Sequence, residues 1–420
     1  YETYSTLSRD NRVKILPLPP RRGIIFDRNG EILADNTPSF QLVMTPEQVE
    51  DIDSTLARLN EIIPLDEREE NEFRRSVRAN PRFVSIPIKF QLSEQEVARF
   101  AIHRHQFPGV DVNAHIARRY PHGELASHAI GYVARISESE LKTLDSTRYK
   151  GTSHVGKAGI EKTYESLLHG EVGFEQVEVN AVGRVIRTLE RTPPIPGNNI
   201  YLTLDIKLQQ LAEKAMAGQY GSIIALDPTN GEILAFVSHP GYDPNEFVSG
   251  LSTKRYKALY QNPFRPMFNR AIRGQYPPGS TVKPFIGLAG LAYDVVDFDT
   301  IVFCPGFFML PKVDHRYRCW KKWGHGKINL QDSIAESCDV FFYDLSYSLG
   351  IDRMSHFLAH FGFGRKTGID LPGEKQGILP SRDWKKRTKG EPWYHGETVI
   401  SGIGQGFNLT TPMQLANATM

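Results

Sequence analysis

Residues 274–285 are GQYPPGSTVKPF, and the chain continues as the apolar run FIGLAGLAY over residues 285–293. This stretch predicts a Pro-Pro-Gly turn, then Ser280, then a buried helix that carries Lys283. Positions i and i+3 share one face of a helix, so we expect the Ser280 hydroxyl and the Lys283 amine to be neighbours. A serine becomes a nucleophile when a base accepts its proton, and a partly desolvated lysine near a helix start can be that base.

A second Ser-x-x-Lys lies at Ser139 and Lys142, in the acidic run SESELK. Its polar surroundings favour a capped, solvated helix start over a nucleophile. The four-residue pattern alone is therefore weak evidence for function. The proline-rich turn before Ser280 and the apolar helix after it distinguish that serine from the second copy.

Ser337-Cys338-Asp339 follows 57 residues after Ser280, within the run SIAESCDVFFYDL. A Ser-x-Asp element can supply a second hydroxyl that relays protons and a polar group that holds the lysine or the substrate. The evidence that this element is functional is its order and distance after the first motif, rather than the pattern itself. We therefore predict four catalytic residues: Ser280, Lys283, Ser337 and Asp339.

All three cysteines of the 420-residue chain lie between residues 304 and 338, with a histidine among them. Three thiols and one imidazole are the ligand set of a closed tetrahedral site, so we predict structural zinc held by Cys304, Cys319, His325 and Cys338. The alternatives are a disulfide with one odd thiol, or three buried, unreactive cysteines. His315 is a rival ligand, although its charged neighbours favour a surface position. No organic cofactor is expected.

Turn and linker signals divide the chain. The stretches 23–36 and 222–238 each place an Asn-Gly pair between apolar runs, which predicts two β-hairpins. The segment RTPPIPGNN at 191–199 has the composition of a linker, and a helix capped by Asp205 is predicted after it. We therefore place one domain at 1–195 and a second at 196–420.

Composition excludes several classes of protein. With 40% hydrophobic and 23% charged residues the chain is typical of an ordinary folded protein, and a formal charge of +2 predicts no nucleic-acid binding. No run of about 18 apolar residues could cross a bilayer. Tyr1 in place of Met indicates a trimmed N-terminus, so a membrane anchor could precede it.

Tryptophans at 320, 323 and 393 are more typical of packing than of a substrate groove.

The motifs together resemble the penicillin-binding proteins, serine enzymes marked by Ser-x-x-Lys, then Ser-x-Asn/Asp, then Lys-Ser/Thr-Gly. Other stretches are similar to the class B branch of that family and to its elongation-specific members. These stretches are Arg22-Gly23, Asp27-Arg28-Asn29-Gly30, Leu33-Ala34, Gly159-Ile160-Glu161, Gly170, YPPGSTVKP, RYRCWKKWGHG, FGFGRKTGIDLPGE and GIGQG. The resemblance covers most of the chain.

This resemblance implies a multi-domain α+β and α/β protein. An elongated N-terminal pedestal or dimerisation domain would precede a transpeptidase domain built on a sheet flanked by helices. It also implies D-Ala-D-Ala transpeptidation, in which Ser280 attacks the penultimate D-Ala carbonyl and Lys283 takes its proton. Ser337 and Asp339 would assist proton transfer, and an amine of a neighbouring stem peptide would complete the cross-link. β-Lactams would be inhibitors.

Two features depart from the family pattern. The only Lys-Thr-Gly is Lys366-Thr367-Gly368, whereas the family carries its third motif on a strand after the region that resembles GIGQG. We therefore reject this copy and expect the true motif, with one oxyanion N–H, beyond Met420. Position 339 is Asp where many relatives have Asn, which changes the charge and the hydrogen-bond donors there.

The resemblance further implies partners and a location. The partners would be peptidoglycan stem peptides, a membrane glycan polymerase of the SEDS family and elongation-complex proteins, at the periplasmic face of the bacterial inner membrane. The alternatives are a carboxypeptidase or β-lactamase on the same scaffold, or a non-catalytic scaffold that activates the polymerase. The long N-terminal domain argues against a free β-lactamase.

Overall fold

The computed structural model describes residues 13–180 and 185–420. In chain order its strands are β1 (Val13–Leu18), β2 (Ile25–Phe26), β3 (Ile32–Met44), β4 (Ile86–Leu92), β5 (Val110–Arg119), β6 (Val133–Arg135), β7 (His154–Gly156), β8 (Gly173–Val179), β9 (Val185–Thr192), β10 (Ile200–Tyr201), β11 (Gly221–Leu226), β12 (Ile233–His239), β13 (Val302–Cys304), β14 (Phe307–Met309), β15 (Arg316–Arg318) and β16 (Gly326–Ile328).

The helices alternate with these strands. They are α1 (Ile52–Ile62), α2 (Glu67–Ala79), α3 (Glu94–His103), α4 (Ser127–Ile130), α5 (Glu138–Leu141), α6 (Gly159–Thr163), α7 (Glu165–Leu168), α8 (Ile206–Ala215), α9 (Asn245–Ser249), α10 (Thr253–Tyr260), α11 (Arg270–Arg273), α12 (Lys283–Ala292), α13 (Leu330–Ala335), α14 (Asp339–His360), α15 (Arg382–Lys389), α16 (His395–Ser401) and α17 (Pro412–Thr419). Short 3-10 turns lie at Pro46–Gln48, Arg104–Gln106 and Gly279–Val282. Within α14, Gly350 has non-helical backbone angles, so two helical segments meet there at a kink.

The described chain forms two compact units. Unit 1 contains the described residues up to Lys207 together with Pro240–Met267, and unit 2 contains Leu208–His239 and Phe268–Met420. The chain thus leaves unit 1 and returns to it once. The boundary that the sequence predicts at residues 195/196 stays a prediction. Within the described ranges, no helix combines the length and the apolar character that crossing a bilayer requires.

Unit 1 is built around β3, which pairs antiparallel with β2, β4 and β5. Strand β10 extends this sheet by pairing in parallel with β2, while β1, β8 and β9 form a second, antiparallel sheet. The helices α1, α2 and α3 supply apolar side chains to a core that includes Leu42, Leu56, Phe73 and Phe100. The predicted hairpin at 23–36 is confirmed, and Gly30 in its turn takes a φ of +88°, which few other residues adopt.

A buried carboxylate joins two signature stretches of unit 1. Glu161 accepts hydrogen bonds from Arg22 Nε at 2.6 Å and from Arg118 Nε at 2.7 Å. Burial alone would raise the pKa of Glu161, but the two guanidinium groups outweigh it and lower that pKa. The three residues therefore have a structural role. They hold the segment around Arg22 against α6 and β5.

Unit 2 contains the second predicted hairpin, in which β11 and β12 pair antiparallel. Ala212 and Met216, in and just after α8, pack on Ala235 and Val237 of β12, and the helices α11 and α17 contact β11. This two-stranded sheet with its packed helices fits the sheet flanked by helices that the family resemblance implies. Helix α8 begins at the end of unit 1, where Asp205 accepts a hydrogen bond from the Lys207 N–H, as predicted for its cap.

The largest core of unit 2 lies around α12 and α14. Both helices are largely apolar, and they bury Ile286, Phe341 and Phe342 completely. Helix α16 approaches α14 so closely that a Cβ on Gly402 would lie 1.6 Å from the Ser346 hydroxyl. This packing fixes the start of α12 and the start of α14 relative to each other, and both predicted motifs lie at these helix starts.

Candidate active site

Ser280 lies on the 3-10 turn Gly279–Val282, directly before α12, and its side chain is exposed. The GIGQG loop at residues 402–406 supports this turn, because the Gly279 N–H donates to the Gly404 carbonyl at 2.9 Å. A Cβ on Gly404 would lie 2.3 Å from the Gly279 oxygen, so only glycine permits this approach. The turn therefore presents the serine hydroxyl to solvent on a well-supported backbone.

Lys283 is the first residue of α12, and its side chain is only 1% exposed. Its Nζ donates to the Ser337 carbonyl at 2.9 Å, to Ser337 Oγ at 3.0 Å and to Asp339 Oδ1 at 2.8 Å. An ammonium has three N–H donors, and these three acceptors use all of them. The buried lysine is thus fully satisfied by the second motif.

Ser337 connects the lysine to the serine of the first motif. Its hydroxyl donates to Ser280 Oγ at 2.8 Å while it accepts from Lys283 Nζ at 3.0 Å. Ser337 also has a φ of +55°, a left-handed conformation that residues other than glycine rarely adopt. Such backbone strain persists only where surrounding contacts hold it, and it is concentrated at functional sites.

Asp339 begins α14, and its two carboxylate oxygens have different partners. Oδ1 accepts from Lys283 Nζ, and Oδ2 accepts from the Trp320 backbone N–H at 3.1 Å. Both oxygens act as acceptors, as an ionised carboxylate can and an asparagine cannot. The structure therefore brings all four predicted catalytic residues into one hydrogen-bonded chain, and their catalytic roles stay predictions.

An open cleft extends from Ser280 and has one cationic residue, Arg318, on its wall. Its other lining includes Trp320, Tyr343, Ile403 and Gln405. Trp320 and Trp323 are 63% and 93% exposed, so the expectation that these tryptophans pack in the core is wrong for both. They lie on the loop between β15 and β16, where sequence periodicity gives no signal for burial.

The predicted metal ligands also converge in unit 2. Cys304 ends β13, Cys319 follows β15, His325 precedes β16, and Cys338 precedes α14; their ligand atoms all lie within 4.8 Å of one another. The three cysteines are free thiols. His315 is exposed, and the cluster found among the described residues does not include it.

Distances in this cluster fit a tetrahedral ion. The Sγ atoms of Cys304 and Cys319 lie 3.5 Å and 3.7 Å from His325 Nδ1. With metal bonds of about 2.3 Å to sulfur and about 2.0 Å to nitrogen, neighbouring ligand atoms of a zinc site lie about 3.5 Å apart. Burial raises the pKa of the Cys338 thiol, so its ionised form needs a compensating cation. Burial likewise lowers the pKa of His325, which favours the neutral ring that binds metals.

The two rejected motif copies have structural explanations. Ser137, rather than Ser139, caps α5 in a capping box with Glu140, which confirms the solvated helix start. In the Lys-Thr-Gly copy, the Thr367 hydroxyl and the N–H groups of Thr367 and Gly368 all donate to Glu374. That tripeptide therefore closes a loop.

An exposed serine on a turn before a helix, linked through a second serine to a buried lysine, is the arrangement expected of a serine acyl-transfer site of the Ser-x-x-Lys type. Comparison with known proteins agrees. The penicillin-binding protein dimerisation domain matches residues 17–202, and the penicillin-binding protein transpeptidase domain matches residues 221–420. The chain belongs to the penicillin-binding protein family.

Individual relatives place the chain within that family. It is 46% identical over 424 residues to the peptidoglycan D,D-transpeptidase MrdA of Escherichia coli (strain K12), a match that covers 100% of this chain and 67% of the relative. Penicillin-binding protein 2 of Pseudomonas aeruginosa, solved in complex with WCK 5153, is 41% identical with a TM-score of 0.73 over 97% of this chain and 69% of that one. Penicillin-binding protein 2 of Helicobacter pylori, solved in complex with MreC, is 35% identical with a TM-score of 0.82. This match covers 96% of this chain and 76% of that one. The family resemblance is thus confirmed.

Proposed function

We propose that this chain carries out the acyl-transfer step of peptidoglycan cross-linking, as a serine D,D-transpeptidase of the elongation-specific type. The observation that carries the proposal is the hydrogen-bonded chain from Lys283 through Ser337 to Ser280. Ser280 Oγ attacks the carbonyl of the penultimate D-Ala, and the bond to the terminal D-Ala nitrogen breaks. The terminal D-Ala leaves with a proton, and the stem peptide remains as an ester on Ser280.

The second half of the reaction resolves that ester. An amine of a neighbouring stem peptide attacks the carbonyl, a new amide forms, and Ser280 regains its proton. The Ser280 backbone N–H is available to stabilise the oxyanion in both halves. Water in place of the amine would give a carboxypeptidase, so the identity of the acceptor decides between these two activities.

The proton of Ser280 is passed along the hydrogen bonds that link Ser280, Ser337 and Lys283. The reacting state requires Lys283 to have given up its ammonium proton, so that Ser280 donates to Ser337 Oγ and Ser337 donates to Lys283 Nζ. Transfer of both protons along this line restores the ammonium and the hydrogen-bond directions of the structure. Asp339 does not take the proton. Its carboxylate holds Lys283 Nζ at 2.8 Å and thereby fixes the amine beside Ser337. A lysine buried to this degree needs such a partner, because an unpaired buried charge is costly.

We further propose that the cluster of Cys304, Cys319, His325 and Cys338 holds a structural zinc ion. Four protein ligands leave no open coordination position, so the metal would bind no substrate. It would join the loops that carry Cys304, Cys319 and His325 to Cys338, which lies between the catalytic Ser337 and Asp339. Fixing these loops is the role that the ligand positions support.

The proposed location is the periplasmic face of the bacterial inner membrane, with an anchor that precedes Tyr1. The proposed partners are elongation-complex proteins and a membrane glycan polymerase of the SEDS family. The H. pylori relative solved with MreC supports a partner of the first kind. The family likeness supports the second, and co-purification of the full-length protein with each candidate from membranes tests both.

The activity is tested on cross-linkable pentapeptide peptidoglycan with the full-length protein. Cross-linked dimers that appear with the native protein and are absent with Ser280→Ala would support the transpeptidase. Trimmed tetrapeptides without dimers would identify a carboxypeptidase. If neither product forms while the partner polymerase is activated, the protein is a scaffold.

A further inference from the structure

Trp320 directs two hydrogen-bond donors at one segment, the four residues Glu336 to Asp339. Its backbone N–H donates to Asp339 Oδ2 at 3.1 Å, and its indole Nε1–H donates to the Glu336 carbonyl at 3.1 Å. The two bonds hold opposite ends of the segment that contains Ser337. We propose that Trp320 is a positioning residue for the second catalytic motif, a proposal that rests on the serine acyl-transfer function above.

Packing does not explain the position of this side chain. The residue is 63% exposed, and the ring lies edge-on to His325 with centroids 5.6 Å apart. An indole ring that buries so little of its surface gains little from the hydrophobic effect, which scales with the area removed from water. Its orientation is therefore explained by the N–H to carbonyl bond rather than by burial.

The segment that Trp320 holds is one that needs outside support. Ser337 lies in the left-handed region with a φ of +55°, which a serine does not adopt without compensating contacts. Lys283 Nζ supplies one contact at the Ser337 carbonyl, and the indole supplies another at the carbonyl of the residue before it. If the indole bond is lost, Ser337 can relax toward ordinary backbone angles, and its hydroxyl then leaves the line between Lys283 and Ser280.

A purely structural role is the competing explanation, because Cys319 precedes Trp320 and belongs to the metal-ligand cluster. The two explanations differ in what they predict. A residue that only supports the metal loop would change metal content and melting temperature together with activity. A positioning residue would change the rate of acylation at saturation and leave metal content and melting temperature nearly unchanged.

Substitution of Trp320 tests the proposal in the full-length protein, with acylation by a fluorescent penicillin as the readout. Trp320→Phe keeps an aromatic ring and the backbone N–H but deletes the indole donor. Replacement by 3-benzothienylalanine deletes the same donor and keeps the bicyclic shape. Trp323→Phe is the matched control, since Trp323 lies on the same loop and is 93% exposed.

We expect both Trp320 variants to lower the maximal acylation rate by about 3-fold to 10-fold, the range for losing one hydrogen bond. The half-saturating penicillin concentration, the bound zinc and the melting temperature should match those of Trp323→Phe and the native protein. Native rates in both variants, a change confined to the half-saturating concentration, or a rate loss that follows zinc loss would each overturn the proposal. Absence of acylation in the native protein and in Trp323→Phe would instead refute the proposed function.

Discussion

Ser337 Oγ donates a hydrogen bond of 2.8 Å to Ser280 Oγ and accepts one of 3.0 Å from Lys283 Nζ. A second hydroxyl therefore links the nucleophile to the amine that is to receive its proton. In the proposed mechanism this arrangement gives the two serines distinct roles, attack by Ser280 and proton relay by Ser337. It also makes Ser337 as informative a target for substitution as Ser280.

Removing the Ser337 hydroxyl should slow acylation while leaving the fold intact. We expect Ser337→Ala and Ser337→Gly each to lower the penicillin acylation rate by about 100-fold to 10 000-fold, the usual contribution of general acid–base groups. Glycine accepts a φ of +55° without strain, so Ser337→Gly should melt at a higher temperature than Ser337→Ala. A glycine variant with native acylation would show that the backbone, and not the hydroxyl, matters.

Asp339→Asn tests whether the carboxylate is needed as a double acceptor. An amide has one acceptor oxygen, so either the Lys283 amine or the Trp320 N–H loses its partner. We expect a lower melting temperature and a destabilisation of about 3 kcal/mol, because the buried lysine loses its counter-charge. Asp332→Asn, at an exposed position of α13, is the control. Equal melting temperatures for the two variants would contradict the buried ion pair.

Metal analysis tests the proposed zinc site. Native protein purified in metal-free buffers should contain about one zinc per chain, and Cys319→Ser and His325→Ala should contain less. Both variants should also melt at lower temperatures, since binding energy of a structural metal is folding energy. His315→Ala is the control, because His315 lies outside the cluster. Metal-free native protein with a Cys304–Cys319 disulfide would refute the site.

Unit 1 should lose stability in mild acid through His154. Burial, with smaller contributions from Arg135, His115 and Lys157, lowers the pKa of His154 from its ordinary value of 6.5 to about 4 in the folded protein. The unfolded chain therefore binds a proton that the folded chain does not, so stability is complete above pH 6.5 and is lost as the pH falls toward 4. The pKa shift sets an upper limit of about 3 kcal/mol on the loss in free energy of unfolding. The actual loss is smaller because the ring keeps some contact with solvent.

Hydrogen exchange of peptides from unit 1, compared between pH 7 and pH 4.5, measures this effect. The tryptophans all lie in unit 2, so their fluorescence does not report on unit 1. His154→Gln should reduce the pH dependence of protection, whereas the exposed control His105→Gln should preserve it. An unchanged pH dependence in His154→Gln would contradict the assignment.

Local signals carried most of what the sequence predicts correctly. Both Asn-Gly hairpins, the Asp205 cap and the apolar helix that begins at Lys283 follow from local sequence preferences, and the structure has each of them. The convergence of Cys304 and Cys338 was predictable because thiols confined to one stretch of sequence suggest that they bind a common metal ion.

Other features depend on tertiary contacts that no local pattern encodes. The sequence places Lys283 beside Ser280 on one helix face, whereas in the structure Ser337 lies between their functional groups because α14 packs against α12. The left-handed angle of Ser337 and the proposed role of Trp320 likewise depend on contacts between distant segments. The residues Pro240–Met267 return to unit 1 for the same reason.

The site of covalent attachment tests the central claim most directly. Full-length protein is labelled with a fluorescent penicillin, digested, and the modified peptide is sequenced by mass spectrometry. The account predicts that the label resides on Ser280, that Ser280→Ala abolishes labelling, and that Lys366→Ala, in the rejected Lys-Thr-Gly copy, labels at the native rate. A label on Ser139, or a loss of labelling in Lys366→Ala, would contradict it.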